Sequence, residues 1–251
     1  MPLDIERIRE LRPENEIHYF QTIDSTMTEA ARLAGLNAPH GSVVLADEQT
    51  AGIGRLGRSW QSPAGLGIYC SILLRLPLPP SGFPIASLVL GLATAEAIQN
   101  STQLACDLRW PNDVLINEKK VAGILTHLVD ACVVAGIGIN VNHTSLASDL
   151  RTPATSLRIE SNGRAQSREH IVVNLLESVG SFCSMLRTEG SAAILRAFSS
   201  ASTYVINRRV IIEENGLRGV TAGLDDNGFL LVRSDSGQVE RLAAGGIRPE
   251  G

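Results

Sequence analysis

Two arginines lie three residues apart in the stretch Gly52-Ile53-Gly54-Arg55-Leu56-Gly57-Arg58-Ser59-Trp60. Glycines let backbone N–H groups approach an anion closely, and guanidinium groups grip phosphate oxygens in pairs. Trp60 adds an apolar lid at the end of the stretch. On its own, the segment is equally a solvated loop with surface arginines. Its GxGxxG spacing also matches a dinucleotide fingerprint. That fingerprint needs a helix to open at the third glycine and an acid about 20 residues further on. Here a poor helix former follows, Arg58-Ser59-Trp60-Gln61-Ser62-Pro63, and then a proline-rich region without the acid. A Walker A loop fails too, because no Gly-Lys-Ser/Thr follows.

Three further groupings have residue types suited to chemistry on an anion. In Arg109-Trp110-Pro111-Asn112-Asp113, the proline fixes a turn and aims Asn112 and Asp113 out of a strand. Such an aspartate suits a magnesium–phosphate site or the orientation of a lysine; taken by itself, a bulge or an Asx-turn is the simpler account. In Lys119-Lys120-Val121-Ala122-Gly123-Ile124-Leu125, a lysine stands at the mouth of a strand. It would neutralise a carboxylate and an α-phosphate together, while Gly123 lets a ligand lie on the backbone. Hairpin lysines and a packing glycine are the simpler account. In Gly136-Ile137-Gly138-Ile139-Asn140, two strand glycines point to a close approach, and an asparagine amide can read a base.

The elements that must carry these residues follow from periodicity and punctuation. Residues 1–16 read as a polar lead-in. Strands are expected over 17–22, 42–47, 66–76, 107–116, 121–128 and 132–141. The strand over 132–141 is apolar on both faces and therefore central. A helix should start at Asp24-Ser25-Thr26, with Ser25 or Asp24 as cap. A buried helix is expected over 81–100, after Pro77, Pro79 and Pro80. Residues 167–200 read as helical with a break near Gly190. After Tyr204 the texture changes to short β-rich runs separated by turn signals such as Glu214-Asn215-Gly216. The expected fold class is α/β (α+β): a mixed-sheet domain over 1–204 and a small bent β domain over 205–251.

Composition narrows the function. Apolar residues make up 44% of 251, enough for a proper core, and the net charge is −4. A general nucleic-acid binder carries a basic stripe, so nucleic acid is not an expected partner. The N-terminus has no apolar signal region, and the most apolar stretch, 85–98, is too short to span a bilayer. No membrane association is expected, and the cytoplasm is the default location. Cys70, Cys106, Cys132 and Cys183 form no CxxC pair and have no His at ligand spacing. They read as buried thiols, with no protein-bound metal among the site residues.

In this order, the segments resemble the biotin–protein ligase (biotin–[acetyl-CoA-carboxylase] ligase) family over about residues 17–248. The family loop GRGRxGRxW stands here as GIGRLGRSW. Its companions are Asp24-Ser25-Thr26, Gln49-Thr50-Ala51, Trp110-Pro111-Asn112-Asp113, Lys120-x-x-Gly123-Ile124-Leu125 and Gly136-Ile137-Gly138-Ile139-Asn140. The resemblance implies a core like that of class II aminoacyl-tRNA synthetases plus an SH3-like C-terminal domain. It implies ATP with Mg2+, biotin as substrate and biotinyl-5′-AMP as intermediate. The acceptor would be a lysine on a biotin carboxyl carrier domain of a carboxylase.

The catalytic set would be Lys120, Arg55, Arg58 and Asp113. Ser25, Thr26 and Gln49 would read the ureido ring. Trp60, Ile124 and Leu125 would cover the apolar parts, with Gly52, Ile53, Gly54, Asn112, Gly123 and Gly138 around the ligand and Asn140 on adenine. The chain departs from the family at Ile53, where an arginine is usual, and at Met27, often Asn. It departs also at His127, commonly Glu, and at Gly246, where the usual glutamate is missing. The alternatives are a lipoate or octanoate ligase on the same scaffold and a non-enzymatic sensor weakened at Ile53. Monomer and homodimer both remain open.

Overall fold

A computed structural model describes residues 2–79, 82–147, 152–242 and 245–250. Its elements are α1 (Ile5–Leu11), β1 (Ile17–Ile23), α2 (Thr26–Gly35), β2 (Val43–Gln49), β3 (Gly67–Leu74), α3 (Phe83–Thr102), β4 (Asp107–Arg109), β5 (Asp113–Ile116), β6 (Lys119–Val129), β7 (Cys132–Asn140), α4 (Leu157–Glu160), α5 (Arg168–Glu189) and α6 (Ser191–Ala201). Strands β8 (Ile206–Ile212), β9 (Arg218–Leu224), β10 (Leu230–Ser234), β11 (Val239–Leu242) and β12 (Ile247–Pro249) follow.

Seven strands form a mixed sheet in the order β1-β2-β3-β7-β6-β5-β4. β1 and β2 run parallel, and the other neighbours are antiparallel. Alternation assigns the two faces. Val43, Leu45, Ile68, Cys70, Ile72, Ala135, Ile137 and Ile139 join the large core with α3, α5 and α6. Val44, Leu73 and Val134 point the other way, onto Met27, Ala30 and Leu33 of α2. The α3 helix is buried nearly all round, so its sequence shows no polar face. The five short strands β11-β10-β9-β8-β12 make a second, antiparallel sheet. It is pinned to the first by Trp110, whose Nε1 donates to Gly228 O at 2.9 Å.

Three expectations need correction. The lead-in contains α1, because Asp4 caps it through Arg7 N and the pair Ile5 and Ile8 reaches the core. One expected strand over 107–116 is two, since the chain turns back at Trp110-Pro111-Asn112 (with a cis Trp110–Pro111 bond) and pairs Arg109 with Asp113. β12 was not anticipated; Ile247 is buried, but the run is only three residues long. The long helix is capped at Gly82 and extends to Thr102, while Pro80 and Ser81 lie outside the described residues.

Candidate active site

The site is built on the α2 face of the large sheet. Gly136 and Gly138 of β7 alternate with Ile137, which belongs to the opposite core. The glycines therefore leave the α2 face bare, and other side chains fill the room. A methyl group on Gly138 would collide with the Trp60 indole, and one on Gly136 would lie 2.6 Å from Met27 Sδ. On β6, a methyl at Gly123 would meet Trp60 and Lys120 at 3.0–3.1 Å. Close approach of Trp60 to Gly138 and Gly123, and of Met27 to Gly136, is what requires glycine at these positions.

The glycine-rich stretch is held by its own backbone. Trp60 N donates to Gly52 O at 2.8 Å, and Gly54 N donates to Arg58 O at 2.7 Å. Leu56 at the tip has φ of 58° and is 71% exposed. Arg55 turns inward: its Nη1 donates to Asn112 Oδ1 and to Gly245 O, both at 2.9 Å. Arg58 stays half exposed, 4.0 Å from Glu213. The loop's two arginines thus face the cleft between the large sheet and the C-terminal one.

Two cavities flank the loop. The first is lined by Thr26, Met27, Gln49, Ile53, Gly123 and Gly138 among others. Its polar groups form a chain: Thr26 N and Oγ1 donate to Gln49 Oε1, Ser71 Oγ donates to Thr26 Oγ1, and Gln49 Nε2 donates to Ser62 Oγ. All are neutral, which suits a ligand head with its own neutral donors and acceptors. The second cavity is lined by Arg58, Arg109, Asp113, Asn140, His143 and Gly246 among others. Gly54, Arg55, Trp60, Asn112 and Lys120 border both.

At that junction Lys120 Nζ lies 2.6 Å from Asp113 Oδ1 and 5.5 Å from the centre of the Trp60 ring. Arg109 Nη2 lies 2.6 Å from Asp113 Oδ2. Burial pushes the Asp113 carboxyl up, but Lys120 and Arg109 more than offset it and hold it below the usual carboxylate range. Asn112 is clamped as well, its Nδ2 donating to Ile124 O at 2.8 Å. Both oxygens of Asp113 are thus engaged by cations, one by Lys120 and one by Arg109. Among the described residues, no group of three His, Cys, Asp or Glu converges to hold a metal ion.

Most of the expected residues meet at these two cavities. Ser25 and Gly52 stand one layer behind. Ser25 is 1% exposed and accepts from Met27 N as the cap of α2. Gly52 holds Trp60 through its carbonyl. Ile124 borders the first cavity, yet its side chain belongs to the large core; Leu125 faces the α2 side instead. Asn140 borders the second cavity and donates to Thr155 O at 3.1 Å. Ser71, Tyr69 and Arg109 were not singled out from sequence. Ser71 and Tyr69 alternate with Cys70 and Ile72, so the strand period was the available signal.

No helix among the described residues is long and apolar enough to cross a membrane. Residues 19–142 match the model of the Biotin/lipoate A/B protein ligase family. The chain is 34% identical over 227 residues to the bifunctional ligase/repressor BirA of Bacillus subtilis, covering 87% of this chain and 70% of that one. It is 34% identical over 233 residues to the biotin–[acetyl-CoA-carboxylase] ligase of Paracoccus denitrificans, covering 86% and 93%. In three dimensions it is similar to the biotin protein ligase from Aquifex aeolicus in complex with biotin and ATP. The TM-score is 0.79 at 30% identity, with 93% of this chain and 97% of that one covered.

Proposed function

We infer a division of work among the residues from one premise: the chain belongs to the Biotin/lipoate A/B protein ligase family, as a biotin–protein ligase. It activates biotin with ATP and transfers it to a carrier of a biotin-dependent carboxylase. In the first step a carboxylate oxygen of biotin bonds to the α-phosphorus of ATP, and the bond to the bridging oxygen breaks, releasing pyrophosphate. In the second, the amine of a carrier lysine attacks the mixed anhydride. The new amide forms, the amine loses a proton and AMP leaves.

The observation that carries this reading is the shared wall of the two cavities. Lys120 and Arg55 border both. A carboxylate in the first and an α-phosphate in the second would meet there, against two cations. Mutual repulsion of the anions is the main barrier, and placed positive charge lowers it. Asp113 keeps Lys120 aimed. Thr26 and Gln49, backed by Ser71 and Ser25, take the ureido head, and Trp60 with Leu125 covers the rest. Asn140 and the second cavity take the adenosine, Arg58 the phosphates. Trp60 lies over Gly138 and Gly123, and so shuts water away from an anhydride it would hydrolyse.

The same reading makes residues 1–204 the catalytic domain, with a core like that of class II aminoacyl-tRNA synthetases. Residues 205–251 make an SH3-like domain, supported by five short antiparallel strands. The enzyme acts in the cytoplasm, on MgATP, without nucleic acid or membrane. The neutral readers Thr26 and Gln49, with Ser71 behind Thr26, favour a ureido ring over lipoate's dithiolane.

The test mixes protein, MgATP, biotin and a biotin-carrier domain, and follows carrier mass and AMP. Carrier gains biotin if the reading holds; turnover with lipoate but not biotin overturns it. Lys120→Ala should lower biotinyl-AMP formation at least about a hundredfold, the scale of losing one placed transition-state donor. Near-normal pyrophosphate release by that variant would remove the role given to Lys120.

A further inference from the structure

Arg109 is 5% exposed, and a buried guanidinium needs a reason to be there. Its Nη2 donates to Asp113 Oδ2 at 2.6 Å and to Thr152 Oγ1 at 3.1 Å. Asp113 in turn holds Lys120 Nζ through its other oxygen at 2.6 Å. The backbone closes the same circuit. Lys120 N donates to Pro153 O at 2.8 Å, and Thr155 N donates to Lys120 O at 2.9 Å. Thr152 and Ala154 line the second cavity, beside Asn140. One arginine therefore ties the segment that walls the second cavity to the carboxylate that aims the lysine of the junction.

We propose that Arg109 is a positioning residue for biotin activation: it fixes Asp113 from behind, so that Lys120 is presented to the junction of the cavities in register with the wall formed by Thr152 to Thr155. This rests on the roles given above to Lys120 and Asp113. With Arg109 in place, Asp113 offers one oxygen to Lys120 and cannot swing. Without it, the buried carboxylate has Lys120 as its close partner and Arg55 as the next cation, and binds Lys120 in more than one geometry. Arg109 does not line the first cavity and reaches it only through Lys120, so the ureido head and its readers Thr26 and Gln49 are held without it. The charged groups facing Asp113 are Arg109 from β4, Lys120 from β6 and Arg55 from the loop. Removing Arg109 removes one of them, so Asp113 accepts a proton at a higher pH. Activity that needs the carboxylate falls as pH drops through its pKa, so the acid limb moves up.

The experiment compares Arg109→Met, Arg109→Lys, Asp113→Asn and Arg109→Met/Asp113→Asn in the full chain. It reads single-turnover biotinyl-AMP formation against pH, and biotin Kd through Trp60 fluorescence. Expected for Arg109→Met is at least tenfold slower activation, biotin Kd within twofold of the parent, and an acid limb at higher pH. Arg109→Lys should recover part of the rate. The double variant should be no slower than Asp113→Asn alone, because Arg109 acts through Asp113. Multiplicative losses in the double variant, an unmoved acid limb, or an equal loss of biotin affinity would overturn the proposal. Should Arg109→Met fail to fold, the acid limb of Arg109→Lys decides in the same way, moved or unmoved. If Asp113→Asn activates biotin normally, the role of Asp113 itself falls; if it is slow while Arg109→Met is normal, only the role of Arg109 falls.

Discussion

Ile53 stands where the family loop has an arginine. It borders the first cavity, is 46% exposed and forms a backbone bridge with Ser59. Arg55 ties the loop down, reaching Asn112 and the backbone carbonyl of Gly245. An arginine at 53 would add a charged donor near the junction where the adenylate's phosphate belongs. One hydrogen bond to a charged group contributes about 1.5 kcal/mol or more, equivalent to about a tenfold effect on a rate. Ile53→Arg should therefore slow the escape of biotinyl-AMP about tenfold, measured by trapping released adenylate with a fast-reacting amine. Escape at the parent rate would show that position 53 has no hold on the intermediate. The glycines, arginines and lysine of these segments stand out by type before any fold, but each segment alone also reads as a plain loop or hairpin, and only their order, through the family resemblance, assigned them roles. Arg109 was not. Its importance lies in a partner across a turn, and nothing in Arg109-Trp110-Pro111-Asn112-Asp113 says that the chain doubles back to pair its ends. Likewise, nothing in the sequence says that both oxygens of Asp113 meet cations at 2.6 Å.

At the scale of elements, period and punctuation placed β1, α2, β2, β3, β6, β7, α5 and α6 within a few residues. They missed α1, whose buried face is two isoleucines. They merged β4 with β5, because β4 is only three residues long and the turn between the two strands is short. The assignment of strand faces also separates two kinds of glycine. Gly180 lies in α5, exposed, with nothing within 4 Å of a methyl group placed on it. Gly180→Ala should stabilise the protein by about 0.5–1 kcal/mol, since alanine restricts the unfolded chain and favours helix. Gly138→Ala should do the opposite. Its methyl group enters the Trp60 ring, so the loop must lift from β7. Expected are a lower melting temperature and at least tenfold weaker biotin binding, read by calorimetry. A Gly138→Ala variant with parental biotin affinity would mean that Trp60 does not need its seat on β7. The departure Met27 has a structural account at this scale. Its sulfur fills the bare spot over Gly136, a packing role that the residue type alone did not announce.

For the whole molecule, the question is what the second sheet does for the first. Its residues Glu213, Gly245, Gly246 and Ile247 line the second cavity but not the first. It also shares the large core: Val210, Leu230, Val232 and Ile247 belong to one cluster with Ile85, Leu88 and Trp110. A methyl group on Gly228 would lie 3.2 Å from Ile85 and from Leu88, and the Gly228 carbonyl accepts the Trp110 indole N–H. Trp110 is 2% exposed, so Trp110→Phe keeps most of the apolar burial and leaves Gly228 O buried without its donor. An unsatisfied buried carbonyl costs about 1–3 kcal/mol. The variant should melt lower, in a single calorimetric transition like the parent, because one core joins both sheets. Its KM for ATP should rise several-fold while KM for biotin stays put, because only the second cavity has a wall from the C-terminal sheet. Two separate transitions in the parent would show that the sheets fold independently. An equal rise in both KM values would show that the second sheet supports the first cavity as well, and that the split of the site along the line of Lys120 and Arg55 is not respected by the fold.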